Sequence, residues 1–250
     1  MRNETFRQTG VASGALLISW SLLTYAASAA LSGISAAAFG SHLIRVWDPS
    51  NTAGFLFLYA GGALAAAALG LLATGFSRIR KDLDFLPDGP ARAFRLSRQS
   101  LLLAYALLVI AAISSLPGFF LKPSPMTAPL LILFFVSAAG SALAFILAIL
   151  LPPHILMDRG LVKQLSLVAG VVGASAEIGL LGLSLRSVLV PGEGVSGWLA
   201  FGGFPLLNWN LPLGIAVAIS ALMLSWAYRT ESMRRVVQRL GRSSPSGEPA

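Results

Sequence analysis

Long apolar runs separated by short polar segments form the main pattern of this chain. An apolar run of about 20 residues is long enough to cross the hydrocarbon core of a bilayer as one helix. Runs of about this length predict membrane spans at residues 14–38, 54–76, 100–121, 128–151, 165–186 and 210–228. The sequence therefore predicts an all-α integral membrane protein, a bundle of six transmembrane helices.

The first apolar run has an alternative interpretation as a cleaved signal peptide. The small residues AASA at positions 26–29 are typical of a cleavage site. However, the apolar run around them is longer than the hydrophobic segment of a signal peptide. We therefore interpret it as the first membrane span.

The basic segment 77–99 separates the second span from the third. It carries six of the 18 Lys and Arg residues, which predicts a cytoplasmic loop. Phe76, Ile79, Leu83 and Leu86 repeat at helical spacing, so we expect an amphipathic helix on the membrane surface over its first half. A solvated loop and a docking site for a soluble partner are the alternatives.

Three further segments lie near the carboxyl end of the chain. Residues 187–209 predict an outer loop that is rich in glycine and aromatic residues. Residues 229–242 combine an apolar stripe with arginines, which predicts a basic amphipathic helix suited to anionic lipid headgroups. Residues 243–250 predict a disordered tail.

The distribution of basic residues predicts the orientation of the chain in the membrane. Fifteen of the 18 Lys and Arg residues fall on one side of the predicted spans, and only Arg45, Lys122 and Arg186 fall on the other. Basic residues concentrate on the cytoplasmic side of membrane proteins. We therefore expect three antiparallel helical hairpins with both termini cytoplasmic, in the plasma membrane of a prokaryote. The net charge of +8 is explained by this bias, so nucleic acid is not an expected partner.

Composition excludes several classes of chemistry. Hydrophobic residues make up 56% of the chain and charged residues 11%, against about 25% charged in soluble domains, so no sizeable soluble domain is expected. The absence of cysteine excludes disulfides and thiolate metal sites. The two histidines, His42 and His154, are predicted on opposite sides of the membrane, where they cannot share a haem or metal ion. We expect no cofactor, no metal site and no catalytic residues.

Glu177 is the one acid inside any predicted span. A charge at mid-bilayer costs roughly 2.5 to 3.5 kcal/mol on insertion scales, so such an acid usually faces the bundle interior with a partner, a proton or both. At helical spacing Gly170, Gly173 and Ser184 share its face, together with Ser166, and we expect this small-residue face to be buried. Glu177 is either a proton or cation site, or a protonated acid that fixes helix register.

A polar stripe on the first span is a candidate partner for Glu177. It consists of Ser21, Tyr25, Ser28, Ser32 and Ser35, which repeat at helical spacing. One interpretation is tight packing, because serine in a membrane helix can bond to its own backbone carbonyls. The sharper hypothesis is that the stripe faces Glu177 and supplies its hydrogen bond.

The second span carries Gly62, Ala66 and Gly70 at intervals of four. This spacing of small residues is typical of a face where two membrane helices approach closely. It predicts a helix contact.

The leading functional hypothesis is a non-enzymatic integral subunit or scaffold of a larger membrane assembly. Its expected partners are anionic lipid headgroups and either other membrane subunits or further copies of the same chain. The residues predicted to form these interfaces are Trp198, Trp209, Arg78, Arg80, Lys81, Arg234 and Arg235.

Two other function classes remain open. In the first, the protein is a small transporter or permease with Glu177 as a proton-linked or cation-linked site. An apolar or lipid-like substrate fits it better than a polar one, because the spans contain few polar groups. In the second, a membrane enzyme, the only polar residues available on the outer side are His42, Asp48, Glu193, Asn208 and Asn210, and they form no recognised catalytic arrangement.

Overall fold

The chain folds into helices throughout the residues that its structure, a computed structural model, describes. These are residues 12–31, 52–83, 88–120, 128–150, 160–189 and 210–243. The helices are α1 Ala12–Leu31, α2 Thr52–Leu83, α3 Asp88–Phe120, α4 Ala128–Leu150, α5 Leu161–Leu189 and α6 Asn210–Ser243. Each of these six contains a segment long and apolar enough to cross a membrane. The prediction of an all-α chain with six such helices is confirmed.

Local sequence explains where several helices begin. Pro90, Pro129 and Pro212 each lie in the first turn of a helix, where the missing N–H has no intrahelical partner to lose. Gly160 precedes α5 with a φ of 107°, a left-handed conformation that glycine adopts without a Cβ clash. Its carbonyl accepts a bond from the backbone N–H of Gln164 at 3.3 Å, which starts the helix.

Helix replaces loop over most of the basic segment 77–99. The helix α2 continues to Leu83, and α3 already begins at Asp88. Every residue of the segment that the structure describes is therefore helical. Both helices extend beyond their apolar spans because the flanking Arg, Lys and Leu residues are themselves good helix formers.

The described half of the apolar stripe at the end of α2 is buried in the protein. Ile79 is fully buried, and Phe76 packs its ring against that of Phe94 in α3 with centroids 5.4 Å apart. At these two positions the expected helix is present, but protein covers its apolar face; the side chain of Leu83 and all of Leu86 lie outside the described residues. Helical periodicity shows that one face is apolar, and it does not show whether lipid or protein covers that face.

The helix α6 joins two elements that the sequence predicts separately. It runs without a break from Asn210 to Ser243, so the last span and the basic amphipathic segment 229–242 form one helix. The outer loop 187–209 overlaps the end of α5, which reaches Leu189. The rest of that loop and most of the tail 243–250 lie outside the described residues.

Hydroxyl groups join α1 to α2 inside the bundle. Ser21 of α1 donates to the backbone carbonyl of Ala68 in α2 at 2.6 Å, and Ser28 donates to that of Gly61 at 2.7 Å. Ser28, the later of the two serines in α1, bonds to Gly61, the earlier of the two carbonyls in α2, so the order of bonding partners is reversed between the helices. Each of these carbonyls already accepts a hydrogen bond within its own helix and has a second lone pair for the serine. The bond across the interface therefore leaves the helical hydrogen bond in place.

Other helix pairs are joined in the same way. The buried hydroxyl groups among the described residues belong to serines and to Tyr25 and Tyr228. Ser19 of α1 pairs with Ser225 of α6 at 2.9 Å. Further hydroxyl groups donate to carbonyls of another helix: Ser141 to Ala104, Ser220 to Ala169, Tyr228 to Ile149 and Ser232 to Ala12. The interior is therefore held by interhelical bonds as well as by close packing.

The outer surface of the bundle is apolar. Trp20, Ile113 and Trp226 are at least half exposed, at 52%, 67% and 52% of their surface. Exposed side chains of this kind suit the hydrocarbon of a bilayer, which is as apolar as they are. The fold is consistent with a membrane protein.

Glycine allows α1 and α2 to approach each other most closely at Gly14. A Cβ built on Gly14 would lie 2.8 Å from the carbonyl oxygen of Gly75 and would overlap the side chain of Ile79. We expect Gly14→Ala to lower the stability of the protein by about 1–3 kcal/mol, because the two backbones must move apart. Thermal unfolding in one detergent measures this change.

The matched control for this substitution is Gly182→Ala in α5. A Cβ at Gly182 meets nothing within 4 Å, so the change removes only the cost of glycine in a helix, about 1 kcal/mol. Its unfolding temperature should stay the same or rise. Equal losses in the two variants would contradict the close approach of α1 and α2.

Candidate functional site

Glu177 lies on α5 and accepts a hydrogen bond from a buried tyrosine of α1. The hydroxyl of Tyr25 donates to Oε1 of the carboxyl at 2.7 Å. The ring of Tyr25 packs in turn against Phe145 of α4, with centroids 4.5 Å apart. Side chains from three helices therefore fix the position of the acid. Tyr25 belongs to the polar stripe of α1, which is where the sharper hypothesis sought the partner of Glu177.

The two serines of the same stripe that the structure describes bond to other groups than the acid. Ser21 and Ser28 are buried and bond to the backbone carbonyls of Ala68 and Gly61 in α2. Ser32 lies outside the described residues. The described residues of the stripe therefore contact two different helices. The long side chain of Tyr25 reaches Glu177 of α5, whereas Ser21 and Ser28 bond to α2.

The small-residue face of α5 is buried, as expected from its spacing. Ser166, Gly170 and Gly173 are all buried. A Cβ at Gly170 would overlap the side chain of Leu150, and one at Gly173 would lie 2.6 Å from the hydroxyl oxygen of Ser220. These positions allow α4 and α6 to approach α5. Ser184 lies farther along α5, and its side chain is outside the described set.

A cavity of about 560 Å³ lies beside the Tyr25–Glu177 pair. Residues from all six helices line it, and most of them are glycine, alanine, leucine, valine or phenylalanine. The polar side chains among its described lining residues are Tyr25, Ser28, Tyr59, Ser115, Ser141 and Glu177. The three serines already donate to backbone carbonyls. The carboxyl group is thus the one acid in an otherwise apolar chamber.

The small residues of α2 belong to this cavity. Gly62 and Ala66 line it, and a Cβ at Gly62 would meet no atom within 4 Å. The predicted helix contact at these two positions is therefore wrong. Only Gly70 has a close neighbour, the hydroxyl of Tyr105 at 3.6 Å from a built Cβ. The spacing of small residues is the same for a packed face and for the wall of a cavity, so the pattern alone could not separate them.

The cavity opens between α2 and α3. The two helices touch where Phe76 meets Phe94, but farther along they face the cavity. There, the described lining residues that are exposed all belong to α2 and α3, among them Tyr59 at 38% and Val109 at 54%. Gly62 is likewise exposed. The opening therefore lies on the apolar flank of the bundle.

The residues predicted to contact partners are only partly described. Arg78 and Arg80 are exposed on the last turns of α2. Lys81, Arg234 and Arg235 lie on helices, but their side chains are outside the described set, as are Trp198 and Trp209 entirely. The structure brings none of the described ones near Glu177.

The remaining residues considered for chemistry offer no site in the described chain. Asn210 begins α6, while the other outer residues considered for an enzyme, His42, Asp48, Glu193 and Asn208, fall outside the described ranges. Among described residues, no group of three His, Cys, Asp or Glu side chains is placed to hold a metal ion.

Comparison with known proteins finds no relative: no family model, no curated protein and no solved structure matches this chain. The Tyr25–Glu177 pair and the cavity beside it are therefore the basis for any functional proposal.

The hydrogen bond between Tyr25 and Glu177 should contribute measurably to stability. In a double-mutant cycle of Tyr25→Phe and Glu177→Leu, whose leucine cannot accept the bond, we expect a coupling energy of about 0.5–2 kcal/mol, the range for polar pairs between membrane helices. Chemical unfolding of the four proteins in one detergent measures it.

Tyr59→Phe is the control for this cycle, because Tyr59 also lines the cavity but lies at its exposed edge. Combined with Glu177→Leu, it should show a coupling close to zero. A coupling near zero for Tyr25 as well would refute the bond.

Proposed function

We propose that this protein is a small permease-like carrier that binds an apolar, membrane-soluble molecule in the cavity, with Glu177 as its polar contact. The observation that carries this proposal is the cavity itself. Its volume of about 560 Å³ is within the range of small-molecule sites, about 300–1,000 Å³. Apolar walls with a few placed polar groups are also typical of such sites.

The walls favour an apolar ligand over a polar one. Among the described lining residues, Glu177 alone carries a charge in water at neutral pH. A polar solute would leave its water shell for walls that offer few hydrogen bonds, at a cost of several kcal/mol for each unpaired group. An apolar molecule loses nothing of this kind, and the opening between α2 and α3 faces the bilayer in which such a molecule dissolves.

This proposal reverses the order of hypotheses that the sequence favours. Packing signals in the sequence favour a subunit or scaffold, because a cavity leaves no distinct pattern in the residues. The subunit hypothesis stays as a second proposal, supported by the helical continuation of α6 to Ser243. This basic extension offers a surface to anionic lipid or to another protein. A stoichiometric partner in mild detergent that is lost when residues 231–250 are deleted would favour it.

We further propose three antiparallel hairpins with both termini in the cytoplasm, in the plasma membrane of a prokaryote. The reversed order of partners along α1 and α2 supports the first hairpin. The excess of basic residues on one side supports the orientation. In this arrangement the cavity lies in the outer half of the bundle, near the ends of α1, α3 and α5.

Single-cysteine labelling tests the orientation, because the chain contains no cysteine of its own. In intact bacterial cells we expect Ser196→Cys to react with a membrane-impermeant maleimide and Ser244→Cys to react only after the membrane is opened. The positive-inside distribution is the physical reason. The reverse labelling pattern would overturn the proposed orientation.

Filling the cavity should prevent binding of an apolar molecule. We expect adamantyl diazirine, a neutral photoreactive probe, to label cavity residues of the wild type more than lipid-facing residues, and Gly62→Trp to lower this labelling at least threefold. Gly62 lines the cavity and a Cβ built on it meets no atom within 4 Å, so the added side chain can extend into the chamber. Mass spectrometry of the labelled peptides measures the change.

Gly182→Trp is the matched control, because Gly182 also has open space around its Cβ but does not line the cavity. It should leave the labelling of the cavity unchanged. If the wild-type cavity is labelled no more than the lipid-facing surface, the proposed function is wrong.

A further inference from the structure

One oxygen of the Glu177 carboxyl has no hydrogen-bonding partner among the described residues. Oε1 accepts the hydrogen bond from Tyr25, and in the described part of the chain no other group bonds to the carboxyl. Within that part of the chain Oε2 is therefore unpaired, although the carboxyl lines the cavity. A carboxylate in apolar surroundings is strongly unfavourable unless it is paired. Something outside the described residues must satisfy it, and the cavity is where that group can be.

No positive side chain among the described lining residues neutralises the acid, because they include no Lys, Arg or His. The titratable groups that these residues bring to the chamber are Tyr25 from α1, Tyr59 from α2 and Glu177 from α5, and α3, α4 and α6 supply none among them. With this lining, Glu177 is neutralised by its own proton or by a cation that enters the cavity.

An inorganic cation fits this site poorly. Hard metal ions such as Ca²⁺ require about six to eight oxygen ligands. Here one carboxyl and one phenol hydroxyl meet, and the neighbouring serines already bond to backbone carbonyls. An organic cation needs no such shell, because its charge is spread over or surrounded by carbon.

Aromatic rings beside the acid add a second attraction for an organic cation. Tyr25 and Phe145 both line the cavity, with their ring centroids 4.5 Å apart. The face of an aromatic ring attracts a cation, more strongly where water is excluded. The walls farther out are apolar and match the hydrocarbon part of such a molecule.

We propose that the cavity takes a lipophilic organic monocation, whose charged group is recognised by Glu177 and displaces the carboxyl proton. This inference deepens the proposed function and rests on it. The apolar body of the ligand lies toward the opening between α2 and α3, and its charged group lies against the carboxylate. Proton and ligand compete for one carboxyl group, so each ligand bound by a protonated chain releases one proton to solution. Binding therefore strengthens as the pH rises.

Tetraphenylphosphonium is a suitable probe, and tetraphenylborate is a control of nearly equal shape with the opposite charge. Equilibrium dialysis of the purified full chain, corrected for protein-free micelles, measures binding of each ion. We expect one tetraphenylphosphonium per chain, no measurable binding of tetraphenylborate, and at least about tenfold weaker cation binding in Glu177→Gln, equivalent to about 1.4 kcal/mol.

Asp88→Asn is the matched charge control, because it also removes one carboxylate, at the start of α3 and far along that helix from Leu108, its first described residue to line the cavity. It should bind tetraphenylphosphonium as the wild type does. Equal affinities of Glu177→Gln and wild type for the cation would overturn the inference.

A second measurement needs no variant and remains decisive if Glu177→Gln does not fold. In weakly buffered solution at pH 5, saturation of the wild type with tetraphenylphosphonium should release close to one proton per chain. Raising the pH from 5 to 8 should strengthen binding. Cation binding without proton release and without pH dependence would contradict the exchange.

The two proposals fail in different ways. If adamantyl diazirine labels the cavity but the cation shows no preference for Glu177, the inference is wrong and the proposed function stands. If neither probe enters the cavity, both are wrong.

Discussion

Within a bilayer, burying one apolar helix against another gains almost no hydrophobic energy, since lipid is as apolar as leucine. This constraint determines how the bundle is built. Small residues such as Gly14 and Gly173 bring helices close enough for dispersion forces to act over a large area. Serine and tyrosine hydroxyls then add hydrogen bonds to carbonyls of the neighbouring helix. The helix arrangement depends on these two short-range interactions together.

Small residues of the same kind line the cavity, at positions where no described helix packs against them. Along α1 and α5 they are covered by another helix, but Gly62 and Ala66 of α2 have open space in front of them. In water, an apolar chamber of this size would favour collapse. In a bilayer the drive to collapse is weak, because hydrocarbon solvates apolar walls well. A membrane bundle can therefore keep an apolar chamber at little cost in stability.

Sequence patterns predict most of the fold and a smaller part of the site. The lengths of the apolar runs are enough to predict the six spans, because a helix has a fixed rise per residue. The rarity of an acid in hydrocarbon singles out Glu177, and helical spacing places its small neighbours on a buried face. The cavity and the setting of Phe76 could not be predicted. Spacing shows which residues share a face, whereas the partner of that face depends on contacts between distant parts of the chain.

The position of the opening between α2 and α3 determines which free-energy terms contribute to a measured affinity for this cavity. A ligand that enters there exchanges places with lipid acyl chains and not with water, so its hydrocarbon part contributes little to the net free energy of binding. The ligand concentration that governs binding is its concentration in the membrane. A dissociation constant expressed as an aqueous concentration therefore also includes the partition coefficient of the ligand between water and membrane. Discrimination must then come from what an acyl chain lacks, namely a charge, a hydrogen-bonding group or a compact, rigid shape that fits the chamber.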